Sequence, residues 1–241
     1  MKRYLVNGAA RHSRWSRFPI ALALTLMLIT WNGLAWGKSD DQKQLVDNAR
    51  HTLESFMEDP HLTWFQDHVQ KAKALLIVPQ LLKGAFIFGA EGGSGVLIVR
   101  DKNSTNWSEP AFYIVGGVSF GLQWGGQASE VIFMARTDGA VEKLYSSSFK
   151  LGGDASIAAG PYGAGVEGST SANLNADFLS FSRSKGAFAG LSFEGAVIYV
   201  SNDSNTAYYG QSVRPVDILV KKSVSNPHSQ KLRQTAQQAV Q

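Results

Sequence analysis

Gly117-Val-Ser119-Phe-Gly121 has the glycine-serine-glycine spacing that, in esterases, sets a nucleophilic serine on a strained turn between strand and helix. Such a serine also needs a histidine base, an orienting carboxylate and an oxyanion hole. Here an apolar alternation runs straight through Ser119 to Trp124, which predicts a strand, and the only downstream histidine is His228 in a polar tail. No catalytic residue is assigned, and the chain is not expected to be an enzyme. The run Gly89–Gly95 is glycine-rich like a phosphate-cradling loop, but it lacks the Gly-Lys-Ser/Thr ending and leads into the strand-like Val96–Val99. A hairpin turn or bulge is the better reading. His51, His61 and His68 lie near Glu54, Asp59 and Asp67, yet none has metal-motif spacing, and the chain has no cysteine for thiolate ligands or disulfides. Neither a metal site nor a cofactor is expected.

The elements around these residues read mainly as β structure. Phe112, Ile114, Gly116, Val118, Phe120, Leu122 and Trp124 share one face of an alternating strand, and Tyr113, Gly117, Ser119, Gly121 and Gln123 the other, implying a sheet with one buried face. Of the 24 glycines, 20 fall between Gly84 and Gly195, which points to curvature, bulges and close backbone approach. Strands are expected near 84–90, 95–100, 111–124, 128–136, 154–159, 163–170, 177–182, 187–194 and 196–200. Ahead of them, Leu45, Val46, Ala49, Leu53, Phe56 and Met57 mark an amphipathic helix over 40–59 that Pro60 stops. A second helix is expected over 62–72, a short one after Asp138, a turn of helix at 205–210 and a terminal helix from Pro227 capped by Asn226. The fold class is therefore mainly β with flanking helices (α+β): a curled antiparallel, glycine-rich sheet or barrel-like core behind amphipathic N-terminal helices.

Six blocks carry a resemblance. They are KALLIVP from Lys73, GAEGGSGVLIVRD from Gly89, NWSEPAFY from Asn106, KLGGDASIAAGPYG from Lys150, FSRSKGAFAGLSFEGAVI from Phe181, and the pair Tyr209-Gly210. In order and spacing they resemble the SYLF domain, over about Ala49 to Leu232. The resemblance implies a lipid-binding or membrane-associated domain, which in eukaryotic relatives binds acidic lipids and in a yeast relative also bundles actin.

The N-terminal segment has the format of a secretory signal. Lys2, Arg3, Arg11, Arg14 and Arg17 precede an apolar core over Ile20–Ile29 and the small-residue break Ala35-Trp36-Gly37. That core is short for a span of about 20 residues, although Trp31, Gly33, Leu34, Ala35 and Trp36 would lengthen it into an uncleaved anchor. The expected layout is a signal peptide over 1–37 and one domain over 38–241, exported to the periplasm or cell envelope. From Lys38 onward 18 basic residues stand against 19 acidic ones, a net charge of −1, whereas the whole chain carries +4. The basic balance thus belongs to the export signal, and a nucleic-acid surface loses its support.

Attraction to anionic phospholipid then needs a local patch. Lys71, Lys73 and Lys83 around KALLIVP, with Trp64 and Phe65 a helical turn or two earlier, form the first candidate, because lysine reaches headgroups while its stem covers apolar surface and Trp favours the interface. The same aromatics would equally plug one end of the β core. Arg183 and Lys185 in the SRSKG turn form the second candidate. Two functions are compatible with these features: a lipid-binding, membrane-associated envelope domain, or a structural or protein-interaction module without a specific lipid. Actin is not an expected partner of an exported chain.

Overall fold

Val46, Ala49, Leu53 and Phe56 recur at helical spacing, and in the computed structural model they are the buried stripe of α1 (Ile20–Glu58). The structure describes residues 20–85, 88–102, 104–120, 125–160, 175–184 and 193–241. The chain divides into two units, Met1–Trp36 and Gly37–Gln241, and the whole sheet lies in the second. Among the described residues no helix is long and apolar enough to cross a membrane.

Among the described residues eight strands form one curled sheet: β1 (Ala74–Ala85), β2 (Phe88–Val99), β3 (Ala111–Phe120), β4 (Gly125–Ala135), β5 (Ser148–Lys150), β6 (Ile157–Ala159), β7 (Phe178–Ser184) and β8 (Val197–Val200). Among the described residues their order is β5-β8-β3-β2-β1-β4-β7-β6, with β5 and β6 at the two ends of the order. Every pairing is antiparallel except β6 with β7. The expected strand over 84–90 is instead the end of β1 and the start of β2, because Ala85 pairs back onto Gly89. The expected strand over 163–170 lies outside the described residues, as does most of 187–194.

β1 is central although it contains Pro79, which has no N–H to give a ladder. The register explains this. Ile77 pairs with Val96 but Leu82 with Gly92, and Val78 pairs with Val131 but Leu81 with Ser129, so β1 bulges by one residue towards both neighbours around Pro79. The bulge presses on β2: a Cβ at Gly93 would stand 2.5 Å from the Gln80 carbonyl oxygen.

The sheet is covered on both faces at the end where β1 begins, and this corrects the one-faced reading of β3. Phe112 packs with Leu75, Ile77, Val96, Ile98, Ile132 and Met134 beneath α1, α2 (Thr63–His68), α4 (Asn202–Tyr209) and α6 (Gln230–Gln238). Tyr113 and Val115, on the opposite face, are just as buried against α3 (Asp138–Leu144) and α5 (Pro215–Leu219). Tyr113 is tolerated there because its hydroxyl donates to the Leu144 carbonyl, and burial raises its pKa further above the ordinary tyrosine value.

The NWSEPAFY block ties the C-terminal helices to β3. Ser108 Oγ accepts from the Val99 N–H at 3.0 Å, the Tyr209 hydroxyl donates to the Pro110 carbonyl at 2.6 Å, and buried Asn205 accepts from the Phe112 N–H at 2.9 Å. The Glu109 carboxylate accepts from Ser229 Oγ at 2.8 Å and the Asn226 N–H at 3.2 Å, and pairs with Arg233 at 3.2 Å. Asn226 caps the next turn through His228 N–H, as its position before Pro227 predicts.

Candidate anionic-ligand cleft

Lys73 sits where three strands begin or end. Its N–H donates to the Ala135 carbonyl at 2.9 Å and its carbonyl accepts from the Arg100 N–H at 2.8 Å, so it extends β1 between the ends of β4 and β2. Its ammonium reaches Asp138 at 2.6 Å, in the first turn of α3, where Thr137 caps the helix by accepting from the Ala140 N–H at 3.0 Å. Lys102 stands 3.6 Å from the same carboxylate. The hydrogen bond from Lys73, with help from Lys102, holds the Asp138 carboxyl below the usual carboxylate range.

Lys222 arrives from the far end of the sequence. It follows α5 in a left-handed conformation (φ 52°), unusual for a residue with a side chain, and its ammonium grips both oxygens of Asp101 at 2.7 and 2.9 Å. Arg100 donates from Nη1 to the Gln70 carbonyl, a neutral partner, and makes no ion pair among the described residues. These groups border a cleft of about 440 Å³ in which Lys73, Arg100, Lys102 and Lys222 outnumber Asp101 and Asp138, with Val99, Val141, Tyr145, Leu219 and Val220 as its apolar part. Val220 is 52% exposed, and Lys102 is the most exposed of the three lysines in the cleft, with 82% of its side chain open. The arrangement suits an anionic group that has apolar surface beside it.

Of the residues singled out from sequence, Lys71 and Lys73 lie at this end of the sheet, Lys71 exposed in the 3-10 turn Val69–Lys71. Lys83 does not join them: it lies ten residues along β1, about 33 Å at strand rise, opposite Glu91 and Gln127. A single patch of the three lysines is thus corrected. Phe65 is fully buried, with Phe56 at 6.0 Å and Phe181 at 5.1 Å between ring centres, and contributes to the core rather than to contacts outside it. Trp64 is half-buried, stacked on His68 at 4.0 Å, so both aromatics plug the core.

Arg183 is not at a turn tip, because β7 continues through Ser184 and aims it at α1. Its guanidinium bonds Glu130 through Nε at 3.0 Å and Ser55 Oγ at 2.7 Å, with Asp59 at 3.6 Å and the Phe56 ring at 5.6 Å. It clamps α1 to the sheet. Lys185 lies outside the described residues. Ser119 falls inside β3, paired with Gly89, as the alternation predicts. Sequence reasoning missed Arg100, Lys102 and Lys222; the charged run Arg100-Asp101-Lys102 at the end of a buried strand was the available signal for two of them.

The family described as "Ysc84: Las17-binding protein actin regulator" matches residues 116–239, over half of the chain. The chain belongs to the Ysc84 family, that of the SYLF domain. It is 33% identical over 152 residues to the bovine SH3 domain-containing YSC84-like protein 1, covering 63% of this chain and 44% of that one. It is 35% identical over 156 residues to LAS seventeen-binding protein 3 of Saccharomyces cerevisiae, covering 64% and 34%. With Protein YSC84 of the same yeast it shares 32% over 186 residues, covering 73% and 39%. The chain therefore spans less than half the length of these relatives. Within the cleft, Asp138, Val141, Tyr145, Leu219, Val220 and Lys222 fall in the stretch matched to the Ysc84 family, whereas Lys73, Arg100, Asp101 and Lys102 precede it.

Proposed function

We propose that this Ysc84-family chain is a non-enzymatic lipid-binding domain of the bacterial cell envelope that contacts anionic phospholipid at the cleft of Lys73, Arg100, Lys102 and Lys222. The convergence of four cations on an apolar floor supports this reading, in a domain whose net charge from Lys38 onward is −1 and which offers no global attraction. Each cation near a membrane surface contributes about 1 kcal/mol, screened by salt. Replacing Arg100 and Lys102 by Gln, neither of which is needed to neutralise a buried carboxylate, should cost about 2 kcal/mol, on the order of 30-fold in affinity. The test is co-sedimentation with phosphatidylglycerol vesicles against phosphatidylcholine ones at low salt. Equal pelleting of the double variant and wild type would refute the cleft. N-terminal sequencing of the exported protein tests the location: Lys38 or a near neighbour fits a cleaved signal, and an intact Met1 in a membrane fraction fits an anchor.

The second reading is a protein-interaction module. It is favoured by the family description, which names a Las17-binding protein and actin regulator, and by a relative named for binding LAS seventeen. The expectation that actin is not a partner draws no support from these relatives. Co-pelleting with actin filaments therefore belongs beside the vesicle assay; filament binding without vesicle binding would select this second reading.

A further inference from the structure

Tyr145 stands just after α3 and borders two clefts. One is the basic cleft; the other, of about 310 Å³, is lined by apolar Val200, Pro215 and Val216 and by polar Ser147, Asn202 and Arg214. α5 borders both clefts as well, through Pro215 and Val216 at its start and through Leu219, with Val220 beside it, at its end. The two clefts are therefore successive parts of one groove along α5, about 9 Å from Arg214 to Val220 at helical rise. Its apolar residues Val141, Tyr145, Leu219 and Val200 pack on the same core as Tyr113 and Val115.

Both ends of the groove carry excess positive charge. At the basic end Lys73 and Lys102 share Asp138 and Lys222 holds Asp101, while Arg100 makes no ion pair among the described residues. At the other end Arg214 and Lys221 share the carboxylate of Asp217, Arg214 through Nε at 3.4 Å and Lys221 at 2.8 Å. The Arg214 side chain is 76% exposed. Glu142 lies on α3 near Tyr145 but borders neither cleft. Between the two ends the Tyr145 hydroxyl has no hydrogen-bond partner among the described residues.

We propose that this groove docks an extended peptide segment of a partner protein, with acidic side chains at its two ends, apolar side chains between them, and a backbone carbonyl accepting from Tyr145. This docking mode rests on the anion-binding role proposed for the basic cleft and gives the protein-interaction reading a surface. Charge complementarity places the acids, one among Lys73, Arg100, Lys102 and Lys222 and the other at Arg214. The open hydroxyl in the middle favours a peptide over a hydrocarbon chain. A peptide brings a carbonyl at every residue, whereas an acyl chain brings none, and its single head leaves Arg214 unmatched. At about 3.3 Å per extended residue, the two acids stand about three residues apart.

The experiment pans a phage-displayed library of random heptapeptides on the full chain, then titrates the most enriched peptide, fluorescein-labelled, by fluorescence polarisation. Enriched sequences should carry Asp or Glu about three residues apart with an apolar residue between them. Arg214→Gln and Tyr145→Phe should each weaken the labelled peptide about three- to tenfold, and Arg100→Gln with Lys102→Gln at least about tenfold. Should the Tyr145 variant melt early, Arg214→Gln, a change at an exposed side chain, carries the test. No enrichment, enrichment of sequences without acids, or an acidic peptide indifferent to Arg214→Gln would overturn the proposal. Pelleting with phosphatidylglycerol vesicles should be unchanged in Arg214→Gln; pelleting that falls in this variant would assign the whole groove to lipid and also overturn it. Peptide binding without vesicle binding removes the lipid reading of the cleft and leaves the docking groove standing; vesicle binding without peptide binding does the reverse.

Discussion

Glu109→Ala should detach the C-terminal helix from β3. The carboxylate, only 9% exposed as a side chain, takes three contacts: Ser229 Oγ at 2.8 Å, the Asn226 N–H at 3.2 Å and Arg233 at 3.2 Å. Ser229 loses least, because its hydroxyl also reaches the Asn226 carbonyl at 2.9 Å. The Asn226 N–H is left without that acceptor, at about 1–3 kcal/mol. Arg233 is 35% exposed on its side chain, so water takes over much of its solvation and its share falls well below the several kcal/mol of a fully buried pair. The expected total is about 3 kcal/mol, read as a fall in unfolding free energy in urea, with faster amide exchange in α6. A double-mutant cycle with Ser229→Ala should return a coupling under about 1 kcal/mol, since Ser229 keeps a partner. A loss below about 1 kcal/mol for Glu109→Ala alone would refute the view that this motif anchors the C-terminal segment.

Gly93→Ala should destabilise by about 1–3 kcal/mol, because its Cβ would collide with the Gln80 backbone, whereas Gly92→Ala should be close to neutral in the same denaturation experiment. Asp177 is held below its ordinary pKa chiefly by the Thr137 hydroxyl, at 2.7 Å, and then by Ser156, so its contribution is present above about pH 3.9 and is lost as pH falls through its lower folded-state value. The stability gap between wild type and Asp177→Asn should therefore narrow in acid; a constant gap would refute the assignment. Ser119→Ala should keep vesicle binding intact, and a serine-reactive probe that labels wild type but not the variant would overturn the non-enzymatic reading.

Local periodicity carried much of the architecture. The stripe Val46, Ala49, Leu53, Phe56 is α1 because helical spacing puts those side chains on one side, and the alternation from Ala111 to Phe120 is β3 because period two does the same for a strand. Asn226 and Pro227 stand at a helix start because capping is settled by a few neighbouring residues. Periodicity shows that a face is apolar, but not what lies over the other one; only the tertiary structure places α3 and α5 on Tyr113 and Val115, and a bulge lets a proline stand in central β1. The same limit governs the sites. Lys73 and Lys83 look adjacent in a ten-residue span, yet an extended strand separates them, while Arg100, Lys102 and Lys222 meet Lys73 because strand ends and a turn after α5 converge there. Likewise, Gly92 and Gly116 were visible in the sequence as glycines like their neighbours. Whether a glycine is pressed by a bulge, as Gly93 is, or has room for a Cβ, as Gly92 has, depends on cross-strand register, which long-range pairing sets.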